Sequence, residues 1–153
     1  MANEIQADYP SGGLLYAVIR NRQGQTWYPP GKTFESWGSG GHSAADYPII
    51  LTDKGGSRHI GDFDVNIPTG AYWIQIFVQA GGSPADTDSL VCSRDFFWTG
   101  VGELTATKIL INKSVQDKAT LAIDYYDDDG QTVLLRHDVE NTAALFKKSP
   151  SQP

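Results

Sequence analysis

Residues 47–78 read YPIILTDKGGSRHIGDFDVNIPTGAYWIQIFV. Pro48 to Thr52 has strand character, Gly55-Gly56 marks a turn, and Arg58 to Phe63 forms the returning strand. Ile67-Pro68-Thr69-Gly70 then reverses the chain into a run in which Tyr72, Ile74, Ile76 and Val78 alternate with Trp73, Gln75 and Phe77. Successive strand residues point to opposite faces, so this alternation marks strands with two distinct faces and predicts an all-β fold.

The flanking sequence extends the pattern. Leu14 to Arg20 (LLYAVIR) is apolar on both faces, as a central strand is. Thr26-Trp27-Tyr28 is a short return ended by Pro29-Pro30-Gly31, and Phe34 to Trp37 has the character of another short strand. Gly38-Ser39-Gly40-Gly41-His42 is a loop, and Leu90 to Trp98 supplies one further strand or two short ones. Six or seven such strands at intervals of about ten residues predict a sandwich or small barrel, with Greek-key connections for a sandwich.

The composition shifts at Thr99-Gly100-Val101-Gly102. In ELTATKILINKSV (103–115), Leu104, Ile111 and Val115 share one helical face, whereas Thr105, Thr107, Ile109 and Ile111 alternate as an extended linker does. Helix is the leading reading and linker the alternative. Leu121 to Tyr126 and Thr132 to His137 flank Asp127-Asp128-Asp129-Gly130-Gln131, a hairpin signal because Asp-Gly accepts the positive φ of a tight turn. The predicted organisation is an arm (1–8), a sandwich (9–100), a helix or linker with a hairpin (101–140) and a tail (141–153) whose apolar anchor is Leu145-Phe146.

A chain of 153 residues predicts one domain with a small appendage. The single cysteine, Cys92, excludes an internal disulfide, and its run Leu90-Val91-Cys92 predicts a packed core thiol. The net charge of −6, with Arg20/Arg22 and Lys147/Lys148 as the close basic pairs, argues against nucleic-acid binding, which needs a basic face. No apolar run reaches the ~18 residues of a helical membrane span, and the polar start MANEIQADYP does not read as a signal peptide.

Catalytic and metal signatures are sparse. Asp127-Asp128-Asp129 lacks the spaced oxygens of a calcium loop and reads as a solvated turn. Asp62, Asp64, Asp86 and Asp88 would form a cluster only if their loops met. His42, His59 and His137 lack zinc-ligand spacing, no G-x-S-x-G elbow occurs, and the acids Glu4, Glu35, Glu103 and Glu140 are scattered. The expectation is therefore a non-enzyme with no catalytic, cofactor or metal site. Asn112-Lys113-Ser114 has the letters of a glycosylation sequon and is expected to be accidental, since nothing in these residues suggests a eukaryotic secretory route. The aromatics carry more information. Trp27, Trp37, Trp73 and Trp98 fill a core, an interface or a sugar-stacking platform, and large amphipathic rings favour interfaces.

Two segments together carry a resemblance. The GDF…IPTGAYWIQIFVQAG region of residues 47–81 resembles Ig-like β-sandwich modules of tailed-bacteriophage and prophage structural proteins. Residues 112–135, NKSVQDKATLAIDYYDDDGQTVLL, resemble a terminal segment of such proteins, with Thr120-Leu121 where those often carry Thr-Gly. The resemblance implies an Ig-like Greek-key sandwich. It further implies a non-catalytic virion component (decoration, neck, baseplate or tail-fibre attachment), made in the bacterial host cytoplasm. Its partners would be other virion proteins and copies of itself, with a surface glycan as a further candidate and neither nucleic acid nor membrane. The interface candidates are Trp37, Trp73, Leu145 and Phe146. The alternative is a carbohydrate-binding module or adhesin domain using Trp37, Trp73 or Trp98.

Overall fold

The computed structural model describes residues 3–142 and 145–150, with the side chains of 106, 107, 111 and 139–150 outside that description. The chain divides into two units, Met1–Gly100 and Val101–Pro153. The all-β expectation holds in both.

In the first unit the strands are β1 (Ile5–Asp8), β2 (Leu15–Asn21), β3 (Thr26–Tyr28), β4 (Thr33–Glu35), β5 (Ile49–Asp53), β6 (Arg58–Gly61), β7 (Gly70–Val78) and β8 (Ser89–Trp98). The doubly apolar β2 is central, as its composition requires. One edge pairs with β7 from Leu15↔Val78 to Asn21↔Tyr72. The other edge pairs with β5 at Leu15–Ala17 and meets β3 at Arg20. Beyond β5 lie β6 and β1, beyond β3 lies β4, and outside β7 lies β8, all antiparallel. The spatial order β7-β2-β5-β6 places the fourth of these strands beside the first, which is a Greek key. The β3–β4 hairpin and two 3-10 turns interrupt its first connection.

β1 and β8 are far apart in the hydrogen-bonded order, yet Arg94 of β8 donates to the carbonyl of Glu4 at 2.8 Å. The sheet therefore folds back on itself and encloses its inner face. That face carries Ile5, Leu15, Ala17, Ile19, Trp27, Leu51, Ile74, Ile76, Phe96 and Trp98. The β6–β7 connection closes it: Phe63 packs on Phe96 (ring centroids 4.6 Å) and Trp98 (4.8 Å). Buried indole N–H groups need acceptors, and this connection supplies them. Trp98 Nε1 donates to the Ile67 carbonyl and Trp27 Nε1 to Asp64, each at 3.0 Å.

Three expectations change. Residues 5–8, expected within an arm, form β1 and pair with β6, burying Ile5 and Ala7. Cys92, expected in the core, is exposed. Its strand is outermost among the described strands of the sheet and its register shifts between Ile76 and Phe77, so no further described strand covers this stretch. The helix expected over 103–115 is α1, only Ala106–Ile111, after which the chain becomes β9 (Ser114–Gln116).

The second unit continues with β10 (Ile123–Tyr126), β11 (Val133–Thr142) and β12 (Leu145–Pro150), ordered β12-β11-β10-β9. The predicted hairpin is present, with Tyr125 opposite Leu135 and Gly130 at φ +65° in its turn. Leu121, which stands where the resembled segment often has Gly, also adopts positive φ (+62°). Residues 145–150, expected in a tail, pair with β11. Among the described residues, the buried apolar side chains of this unit are Ala122 and Leu134.

Candidate binding surface

The outer face of β2 and β7 is set by the ladder register. Tyr72, Ile74 and Ile76 point inward, so Trp73, Gln75 and Phe77 point outward beside Arg20, Val18 and Tyr16 of β2. Val18 and Tyr16 are nonetheless buried. Tyr16 stacks on Phe77 (5.4 Å), and its hydroxyl donates to Asp88 at 3.0 Å. Burial, then Asp88, raises the Tyr16 hydroxyl well above its ordinary value.

Residues 36–47 form an aromatic layer held by one carboxylate. Glu35 accepts from Tyr47 Oη (2.8 Å) and pairs with His42 Nδ1 (2.6 Å). An ionised carboxylate only accepts, so Nδ1 carries the proton. His42, followed by Tyr47, holds the Glu35 carboxyl below its usual value. Tyr47 Oη in turn accepts from the Gly38 amide at 2.9 Å, a position whose φ of +76° suits glycine. Tyr28 stacks on His42 (4.0 Å) and Tyr47 on Trp37 (4.6 Å). Asp46 closes the segment by accepting from the Ser43 amide (2.7 Å) and hydroxyl (2.9 Å).

This layer delivers Trp37 to the sheet. The Arg20 guanidinium lies 5.2 Å from the Trp37 ring centroid, a cation–π contact. Arg20 is oriented by Gln75 (Nε to Oε1, 2.8 Å) and Thr26 (Nη1 to Oγ1, 2.8 Å). Trp73 stands opposite Arg20 in one ladder and opposite Asp95 in the next. Phe97, opposite Ala71, lies diagonal to Trp73 on the same face. The result is a strip in which Trp37, Arg20 and Trp73 follow one another across the sheet and Asp95 and Phe97 share the edge strand beyond Trp73. Its rings remain open to solvent: Trp37 is 38% exposed, Trp73 56% and Phe97 42%.

Of the interface and platform candidates named from the sequence, Trp37 and Trp73 come together on one surface. Trp98 is fully buried and cannot serve as a platform residue, because its side of β8 faces the core. Leu145 and Phe146 lie on β12 opposite Thr142 and Asn141, and their side chains fall outside the described residues.

The acids serve separate loops. Asp62 accepts from the Asn3 amide, Asp64 from Trp27 and the Asn66 amide, and Asp88 from the Ala80 and Ala85 amides. Asp129 closes the hairpin turn through the Gln131 and Thr132 amides and the Thr132 hydroxyl. No group of three His, Cys, Asp or Glu side chains converges as a metal site among the described residues. His59 is buried on β6 with Nε2 3.0 Å from the Gly13 carbonyl.

Arg20, Asp95, Phe97 and the Glu35–His42–Tyr47 network escaped the sequence reading. Only strand register could have placed Phe97 and Asp95 beside Trp73. Comparison with protein-family models, curated proteins and solved structures finds no match to this chain.

Proposed function

We propose that the chain is a non-catalytic structural component of a phage or phage-like particle, working through contacts with its own copies and with other particle proteins. The observation that carries this reading is the apolar surface that the second unit leaves exposed among its described residues. Its sheet buries Ala122 and Leu134 among the described residues, while Leu110 is 81% exposed and Val115 and Val133 are also exposed. All four residues of β10 are only partly covered. A unit of this size rarely stabilises itself without a staple, and a neighbouring chain is one source of cover. The outer edge of β8, ten residues long, offers further backbone groups for strand addition, since no described strand pairs with it. Many such contacts in a symmetric array reinforce one another. The resemblance of residues 47–81 and 112–135 supplies the particle context.

Light scattering on the full chain tests the association. A discrete oligomer is expected, and Leu110→Asp should shift it toward the protomer without loss of β circular dichroism. Mass spectrometry of purified particles from a culture encoding the chain tests the context. A protomer at every concentration, together with particles lacking the chain, would overturn the proposal.

A further inference from the structure

We propose that the outward strip on β2, β7 and β8 is a binding site for an uncharged polysaccharide chain. Three partly open rings (Trp37, Trp73 and Phe97) lie along it, with Arg20 between the two indoles and Asp95 beside Trp73 and Phe97 on the edge strand. Between Trp37 and Trp73 lies Arg20, whose Nη2 makes no hydrogen bond among the described residues. Asp95, between Trp73 and the edge, is exposed and likewise makes no hydrogen bond or ion pair among them. Neighbouring strands lie about 4.8 Å apart, so the strip crosses three strands and the Trp37 ring, room for a short run of pyranose rings.

The chemistry selects the occupant. Sugar rings present C–H faces that pack on aromatic rings and hydroxyl edges that both donate and accept. Stacking serves Trp37, Trp73 and Phe97, while hydroxyls satisfy Arg20 Nη2 and the Asp95 carboxylate. A flat apolar protein partner would bury those two charged groups without partners, which is costly. A polyanion would meet a chain of net charge −6 with one arginine in the strip. The Glu35–His42–Tyr47 network fixes Trp37 before any ligand arrives, which lowers the ordering cost of binding.

Tryptophan fluorescence and calorimetry on the full chain, titrated with maltohexaose, cellohexaose and chitohexaose, test the proposal. At least one should give saturable binding, and a heparin hexasaccharide should not. Trp73→Ala should weaken that binding at least ten-fold and Asp95→Ala by several-fold. Leu90→Ala, exposed near the far end of β8, should leave it unchanged. Circular dichroism confirms that each variant is folded. Three silent hexasaccharides overturn the proposal, as does binding that survives Trp73→Ala. Light scattering on Trp73→Ala separates the rival occupant: loss of oligomer without sugar binding would make the strip a copy-to-copy interface. The assembly proposal is tested separately, by the light scattering of the full chain and the particle measurement.

Discussion

Phe96 and Phe97 are adjacent in sequence and oppositely placed by the register of β8, so truncating each in turn measures that register. Phe96 is 2% exposed, stacked 4.6 Å from Phe63, and lies beneath the Arg94 guanidinium at 4.9 Å. Removing a fully buried phenylalanine costs about 3–5 kcal/mol through lost transfer energy and the cavity left behind. Each lost aromatic pair adds roughly 0.5–1.5 kcal/mol within that range. A domain of this size has about 5–15 kcal/mol in total, so Phe96→Ala should remove at least about a fifth of it. At a urea slope of about 2 kcal/mol per molar, the midpoint should fall by about 2 M. Phe97 keeps 42% of its surface in water and borders no enclosed core. Its truncation leaves no cavity and should cost about 1 kcal/mol or less. Urea unfolding followed by tryptophan fluorescence and circular dichroism reads both midpoints. A larger loss for Phe97→Ala would mean that β8 is displaced by one residue, and equal losses that Phe97 is not on an open outer face; either result would overturn the assignment of the strip.

The Asp129 carboxyl, held by the Thr132 hydroxyl and then by the Thr132 and Gln131 amides, should titrate at about 2 by NMR; Thr132→Val should raise it toward the ordinary aspartate value. Asp88 is likewise held below its ordinary value by the Ala80 and Ala85 amides and then by Tyr16. Its contribution is therefore complete above the unfolded aspartate pKa and lost as pH falls through the folded one, so Asp88→Asn should flatten the acid side of the stability profile. Ser57 sits at φ +66° on the exposed β5–β6 turn with its amide already bonded to Ser11. Ser57→Gly should retain that bond, relieve left-handed strain and raise stability by about 0.5–1 kcal/mol, read as a small rise in Tm. Exposed Cys92 should react with a thiol reagent in the native protein at a rate near that of the unfolded chain, whereas a buried thiol would be strongly protected.

Alternation along residues 72–78 and the two apolar faces of Leu14–Arg20 are local properties. They determine strand type and the central place of β2 independently of any tertiary contact, because side-chain direction repeats every second residue whatever the partner. The Asp-Gly turn was equally legible, since φ at that position is a local demand. Which strands are neighbours was a matter for the tertiary structure. Pairing Arg20 with Trp73, and Trp73 with Asp95, depends on a Greek-key return that brings distant segments together. Exposure followed the same logic: Trp98 and Cys92 share one strand, yet the core encloses the first and the open end of the sheet leaves the second in water. The strip of Trp37, Arg20 and Trp73 exists only because a loop held by Glu35 lands on that face, a long-range packing outcome that no local pattern encodes.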